Sequence, residues 1–274
     1  MTDPNRPIGF FDSGVGGISV LKQAVRLLPH ENFIYYGDSL NAPYGSRPLA
    51  EIQQLTFDAV DYLLSRNVKA IVFACNTATS AAVHLVREKH PDLPIFGIEP
   101  ALKPAVENTE GGSIVVMATE TTLKEQKFAQ LMDRVARDRH VVKLCCPGLV
   151  ELIEEGKAHS QETLDYLSDK FKALDVPEIK AIVLGCTHYP FILSPLRQVV
   201  GPTPLIFDGA DGISRHLQNV LTQRGLLSDR QEPGEIHLIN TSGDEKLLEL
   251  SIALLTAQDP PMSDPPLDME TLGS

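Results

Sequence analysis

The chain has 274 residues, of which 43% are hydrophobic and 22% are charged, a composition typical of a globular protein that buries a core. Its formal net charge of −12 argues against a nucleic-acid partner, because phosphate binding needs clustered Lys and Arg. No apolar run approaches the roughly 20 residues that cross a bilayer, and no secretory leader pattern opens the chain. We therefore expect a cytoplasmic protein with no membrane partner.

Short apolar runs rich in β-branched and aromatic residues recur along the chain and are typical of buried strands. Segments of helical periodicity, such as 18–28 and 56–67, separate most of these runs. The alternation predicts an α/β fold with mostly parallel sheets, in which ligands bind beyond the carboxyl ends of the strands. The predicted strands lie at 7–11, 33–37, 69–74, 94–98, 113–118, 140–144, 180–185, 204–208 and 236–240.

One of these runs occurs twice in nearly identical form. KAIVFACNT at 69–77 and KAIVLGCTH at 180–188 each end in a cysteine followed by polar residues. Such a repeat predicts two pseudo-symmetric α/β lobes, each with one thiol at the same structural position, and an active-site cleft between them. Both cysteines lie between a predicted strand and a predicted helix, where helix N-terminal amides favour a thiolate.

The lobe boundaries follow from the ends of two predicted strands. We expect a discontinuous first lobe formed by 1–98 and 209–257, and a second lobe formed by 99–208. The segment 258–274 contains two Pro-Pro pairs and few residues that could be buried. It is predicted to be a disordered tail.

Two thiols on opposite sides of one carbon atom can transfer protons to and from that carbon. If each sulfur lies about 3 to 3.5 Å from that carbon, the sulfurs are roughly 6 to 7 Å apart, whereas a disulfide needs about 2 Å. One thiol can then remove a proton from one face while the other delivers a proton to the opposite face, which inverts a stereocentre. A duplicated cysteine motif suits a reaction that runs in both directions.

Two further motifs supply candidate partners for the thiols. In FFDSGVGG at 10–17, Asp12 and Ser13 precede a glycine-rich turn. Its backbone amides can approach a small anion such as a substrate carboxylate. His188 follows Cys186 by two residues and can carry a proton to or from that thiol.

Five motifs follow one another along the chain: FDSGVGG at 11–17, GDSLNAPYG at 37–45, ACNTAT at 74–79, IEP at 98–100 and GCTHYP at 185–190. Together and in this order, they resemble the glutamate racemase family. The resemblance implies a homodimeric enzyme that interconverts L- and D-glutamate with no pyridoxal phosphate, other cofactor or metal. It also implies that the product D-glutamate serves peptidoglycan synthesis.

The resemblance also assigns roles to residues. Cys75 and Cys186 are the two acid/base groups, Asp12 and His188 assist them, and Glu154 is a further carboxylate. Glu151 and Glu155 lie close to Glu154 in LVELIEEG and are alternatives for that role. The positions of substrate contact are Asp12, Ser13, Tyr44, Gly45, Asn76, Thr77, Thr187 and His188.

The segment MATETTL at 117–123 departs from the family pattern. Ala118 and Thr121 occupy positions where the family often has glycine. Because Thr121 makes the local backbone less permissive, the neighbouring Thr119 and Thr122 are left outside the predicted site. Ser39 replaces a usual threonine of the family and keeps the hydroxyl group.

Three alternatives stay open at this point. An aspartate or hydantoin racemase of the same superfamily would use the same paired thiols, and one methylene of pocket length is worth only about 1 to 3 kcal/mol. A non-catalytic amino-acid-binding protein would need the glycine turn and the threonines but no matched cysteines. A metal site formed by Cys75, Cys186 and His188 is disfavoured because no local ligand cluster surrounds them.

Overall fold

The computed structural model describes residues 3–176 and 178–257, so the predicted disordered tail lies outside the described residues. The strands are β1 (Ile8–Asp12), β2 (Phe33–Gly37), β3 (Ala70–Phe73), β4 (Ile95–Gly97), β5 (Ser113–Ala118), β6 (His140–Cys145), β7 (Ile179–Leu184), β8 (Leu205–Asp208) and β9 (Ile236–Asn240). Each apolar run predicted to be a strand forms one. The α/β fold class is confirmed.

Helices cover both faces of the sheets formed by these strands. They are α1 (Ile18–Leu27), α2 (Leu49–Ser65), α3 (Asn76–Lys89), α4 (Leu102–Glu107), α5 (Glu120–Lys124), α6 (Gln126–Val135), α7 (Leu149–Glu154), α8 (Gln161–Lys172), α9 (Leu193–Val200), α10 (Ala210–Gln223) and α11 (Glu245–Thr256). Short 3-10 turns lie at Ser39–Asn41, Tyr44–Ser46 and Tyr189–Ile192. Among the described residues, every helix is too short or too polar to span a bilayer.

Two separate sheets form the centres of the two lobes. Their strand orders are β4-β3-β1-β2-β9 and β6-β5-β7-β8, and every strand pair in the described part of the chain is parallel. Written from the other edge, the second sheet reads β8-β7-β5-β6, so β1, β2, β3 and β4 correspond to β5, β6, β7 and β8. This equivalence confirms the two pseudo-symmetric lobes.

The chain passes between the sheets twice. It leaves the first sheet after β4 and enters the second at β5, and it leaves the second after β8. Helix α10 then packs against α1 in the core of the first lobe. The predicted boundaries at 98/99 and 208/209 fall in these two connections and stay a prediction.

The core consists of one apolar layer on each face of each sheet. Successive strand residues point to opposite faces, so Phe10 enters one layer of the first lobe and Phe11 the other. In the second lobe, Val115 and Val116 divide in the same way. Burial of both faces explains why the strands read as continuous hydrophobic runs, and it holds the strand ends rigidly.

A buried ion pair lies at the end of the first sheet opposite the cysteine. Lys69, which precedes β3, contacts the Glu31 carboxylate, and the two side chains are 0% and 2% exposed. The other oxygen of Glu31 accepts a hydrogen bond of 2.8 Å from the Ser228 amide. The pair therefore ties β3 to the loops around residues 31 and 228.

Candidate active site

The two repeated cysteines occupy equivalent places. Cys75 follows β3 and is the N-cap residue of α3, where its sulfur accepts a hydrogen bond of 3.5 Å from the Ala78 amide. Cys186 follows β7, just before the 3-10 turn at Tyr189–Ile192. Because β3 and β7 are the third strands of their lobes, the two thiols lie at matching carboxyl ends of the two sheets.

Cys75 lies in a pocket that favours the neutral thiol. Its side chain is buried, and its sulfur lies 3.4 Å from the hydroxyl of Ser13. Burial and the nearby Asp12 carboxylate raise the pKa of Cys75 to about 12, against the hydrogen bonds from Ser13 and Ala78 that lower it. The Ala78 amide at the helix N-terminus favours the thiolate, as expected, but desolvation outweighs it.

Cys186 begins a chain of hydrogen-bonding groups. Its sulfur lies 3.8 Å from His188 Nδ1, and His188 Nε2 lies 2.9 Å from Glu154 Oε1. Burial alone would lower the pKa of His188, but the hydrogen bonds with Cys186 and Glu154 outweigh it and raise this pKa well above its usual value. His188 and Glu154 thus form a buried charged pair behind the thiol.

Glu154 is distinguished from its neighbours by burial. Glu151 and Glu155 are exposed, whereas Glu154 is mostly buried against His188. Burial alone would raise the pKa of Glu154, but His188 and the Val15 amide outweigh it and hold this pKa below its usual value. Of the three carboxylates, Glu154 is the one that reaches the site.

Asp12 joins the two lobes. One of its oxygens accepts from the Gly14 amide at 3.0 Å, and the other accepts from the Thr187 hydroxyl of the second lobe at 3.0 Å. Burial raises the pKa of Asp12, although His188 and both hydrogen bonds oppose the shift. Asp12 therefore lies between the Cys75 side and the Cys186 side of the site.

The glycine turn allows the second lobe to approach very closely. A Cβ atom on Gly16 would lie 2.5 Å from Thr187 Oγ1 and 2.6 Å from His188 Cε1, and one on Gly14 would lie 3.3 Å from Glu154 Cδ. The Gly14 amide donates to Asp12, and the Val15 amide donates to Glu154 Oε1 at 3.3 Å. In this conformation both amides thus serve protein carboxylates.

Polar side chains that follow β3 and β5 form a second part of the site. Asn76 Oδ1 is buried and accepts no hydrogen bond from the residues that the structure describes. The Thr77 hydroxyl lies 3.1 Å from that of Thr119, which lies 3.0 Å from that of Thr122. A small cavity of about 10 Å³ lies between Asn76, Cys186 and Thr187.

Tyr44 and Gly45 lie beside this group. The Tyr44 hydroxyl donates to Asp38 at 2.7 Å and the side chain is 1% exposed, so the hydroxyl is committed to a carboxylate within its own lobe. The Gly45 carbonyl accepts a hydrogen bond of 2.8 Å from the Thr121 hydroxyl of the other lobe. The Tyr44 ring packs in the same apolar layer as Phe11 and Cys75.

The structure brings some unpredicted residues into the site. Thr119, Thr121 and Thr122 follow β5, the strand equivalent to β1, whose end carries the glycine turn. Thr119 and Thr122 align with the family pattern and were set aside because of the replaced glycines, whereas the correspondence of the strands favours them. The remaining thiols, Cys145 and Cys146, follow one another at the end of β6 and pack in the apolar layers on opposite faces of the second sheet.

Comparison with known proteins gives the family. A model of the family described as Asp/Glu/Hydantoin racemase matches residues 13–213.

The chain belongs to this family.

Its relatives include a curated glutamate racemase of Clostridium botulinum, 51% identical over 93% of this chain and 99% of that protein. Among solved structures, the Francisella tularensis glutamate racemase in complex with D-glutamate has a TM-score of 0.81 and is 28% identical, covering 93% of this chain and 95% of that one. The Escherichia coli glutamate racemase in complex with L-glutamate and the activator UDP-MurNAc-ala has a TM-score of 0.79 and is 31% identical, covering 91% of this chain and 95% of that one. The match to the family thus extends over both lobes.

Proposed function

We propose that the chain is a glutamate racemase that moves a proton between two cysteines across the α-carbon. The observation that carries this proposal is the placement of Cys75 and Cys186 at equivalent strand ends, each with its own partners. Cys75 lies beside Ser13 and Asp12, and Cys186 lies beside His188, which is paired with Glu154. The activity itself is that of curated relatives about 50% identical over 93% of the chain.

The proposed proton path starts at Cys186. The proton from Cys186 resides on His188 Nδ1, and the resulting imidazolium is stabilised by the Glu154 carboxylate. The Cys186 thiolate then removes the α-proton, so that a C–H bond breaks, an S–H bond forms and a planar carbanion remains. Cys75, held as a neutral thiol, gives its proton to the opposite face and becomes a thiolate. The reverse direction uses the same steps in the opposite order.

The residues around the thiols suit an amino acid with two carboxylates. Asn76 offers a buried oxygen with free accepting capacity, which fits the ammonium group of the substrate. The hydroxyls of Ser13 and Thr77 can donate to carboxylate oxygens, whereas the Thr187 hydroxyl donates to Asp12 and must turn from it to reach the substrate. Tyr44 and Gly45 line the same side of the cleft, and Asp12 and His188 complete the set. The path uses protein groups alone, and we propose that no cofactor takes part.

We also propose the setting in which the enzyme works. All four cysteines are free, which suits the reducing cytoplasm. The D-glutamate product would supply peptidoglycan synthesis, and the related Escherichia coli enzyme has been captured with the activator UDP-MurNAc-ala. The family resemblance further implies a homodimer.

Two other functions make different predictions. An aspartate or hydantoin racemase would use the same thiols with a different pocket, and the similarity to glutamate racemases across nearly the whole chain favours glutamate. A non-catalytic amino-acid-binding protein would leave the α-hydrogen in place. In heavy water, the proposed enzyme exchanges that hydrogen for deuterium during turnover, and a binding protein does not.

The direct test is a circular-dichroism assay of the purified chain with L-glutamate, D-glutamate and both enantiomers of aspartate, without added cofactor. We expect both glutamate enantiomers to reach the same racemic endpoint and aspartate to turn over at least about tenfold more slowly. Cys75→Ala and Cys186→Ala should abolish racemisation, whereas the matched control Cys145→Ala should retain it. Full activity in either active-site variant, or faster turnover of aspartate, would overturn the proposal.

A further inference from the structure

Tyr35 is a buried polar residue that the proposed mechanism does not use. It lies on β2, away from both cysteine-bearing strands, and it is 2% exposed. Its hydroxyl donates a hydrogen bond of 2.7 Å to the Gly14 carbonyl. Phe10 and Phe33 fill the same apolar layer with no hydroxyl, so packing of this layer does not by itself require one.

The Gly14 carbonyl and the Val15 amide belong to one peptide unit, which is planar. Tyr35 therefore binds one end of this unit, while the other end donates to Glu154 Oε1 at 3.3 Å. The same oxygen of Glu154 lies 2.9 Å from His188 Nε2, and His188 Nδ1 lies 3.8 Å from the Cys186 sulfur. A continuous chain of polar contacts thus runs from Tyr35 in the first lobe to Cys186 in the second.

We propose that Tyr35 is a positioning residue for the Cys186 side of the reaction. By fixing the Gly14–Val15 peptide, its hydroxyl aims the Val15 amide at Glu154, and this holds Glu154 in line with His188. The hydrogen bond at the carbonyl also polarises the peptide and strengthens its N–H as a donor. This inference rests on the roles proposed above for Glu154 and His188.

The surroundings of the Gly14 carbonyl support a fixed position. A Cβ atom on Gly37 would lie 2.5 Å from this oxygen, so β2 can pass this close only because residue 37 is glycine. Burial and the charges of Asp12 and Glu154 raise the pKa of Tyr35 well above its usual value. The phenol therefore stays a neutral donor and lies within electrostatic reach of the site.

The test compares Tyr35→Phe with Tyr36→Phe. Tyr36 is the next residue on the same strand, and its ring packs against Phe11 and Tyr62 on the other face of the sheet. We expect Tyr35→Phe to lower kcat about tenfold, the factor that accompanies loss of one hydrogen bond, with KM within about twofold. Tyr36→Phe should leave both constants within about twofold of wild type. Thermal unfolding of each variant confirms that the protein measured is folded.

A double variant separates positioning from packing. In a Glu154→Gln background the carboxylate is gone, so adding Tyr35→Phe should lower kcat by less than about twofold more. A full additional tenfold loss in that background, or a Tyr35→Phe single variant with the kcat of wild type, would overturn the inference. If Glu154→Gln alone keeps the wild-type kcat, the proposed roles of Glu154 and His188 fail as well, and the two failures are thereby distinguished.

The His188 imidazole provides a spectroscopic readout. The low-field proton resonance of His188 Nε2–H reports its hydrogen bond to Glu154. We expect this resonance to move in Tyr35→Phe and to keep its wild-type position in Tyr36→Phe. An unchanged resonance in Tyr35→Phe would contradict the proposed positioning.

Discussion

The close approach of the lobes at the glycine turn leads to a prediction for Gly16→Ala. The added methyl group would lie 2.6 Å from His188 Cε1, whereas carbon atoms in contact rest about 3.5 to 4.0 Å apart. The turn or the imidazole must therefore move by about 1 Å. The ring cannot move cheaply, because it is buried and both of its nitrogens have partners. A displacement of about 1 Å from the reacting geometry can lower the rate about 100-fold.

The assay for Gly16→Ala is the initial rate of racemisation from each glutamate enantiomer. The enantiomers have equal free energy, so kcat/KM must agree in the two directions and provides an internal check. Gly212→Ala is the matched control, because a Cβ atom on Gly212 in α10 would meet no atom within 4 Å. We expect kcat/KM to fall about 100-fold in Gly16→Ala and to be unchanged in Gly212→Ala. A folded Gly16→Ala variant with wild-type kcat/KM would refute the claim that the close approach of the glycine turn to His188 matters for catalysis.

Two further predictions concern buried charges. The pKa of His188 is raised in the folded protein above its value of 6.5 in the unfolded chain. Protonated His188 therefore adds to the free energy of unfolding. This contribution is fully present below pH 6.5 and is lost as pH rises through the folded pKa. The stability difference between wild type and His188→Asn should therefore shrink as pH rises in urea titrations, and a difference that widens would contradict this. Lys69→Met leaves the Glu31 carboxylate buried without its cation and should cost about 3 to 5 kcal/mol. A loss under about 1 kcal/mol in chemical denaturation would contradict that prediction.

The fold was largely predictable from sequence because its signals are local. Apolar β-branched runs bounded by turns mark each strand, and the repeat around Cys75 and Cys186 marks the two lobes. The strand order within each sheet was not predictable, because it depends on contacts between distant segments. The equivalence of β1 and β5 emerged only from that order, and with it the place of Thr119 at the cleft.

The candidate site was predictable in residue type and less so in electrostatics. The motifs located Asp12, Cys75, Cys186 and His188, whose side chains lie close together around the cleft. The sequence could not say which cysteine is held neutral, because burial, which is a tertiary property, outweighs the helix amide at Cys75. Thr121 was expected only to stiffen the backbone, yet its hydroxyl bridges the lobes to Gly45.

The most direct test follows the α-proton itself. Cys75→Ala and Cys186→Ala are each incubated in heavy water with pure L-glutamate and pure D-glutamate, and loss of the α-proton signal is followed by proton NMR. Each variant keeps one acid/base group, so each should exchange the α-proton of only one enantiomer without inverting it. The two variants should act on opposite enantiomers. Exchange of the same enantiomer by both variants would contradict the assignment of one thiol to each face of the substrate.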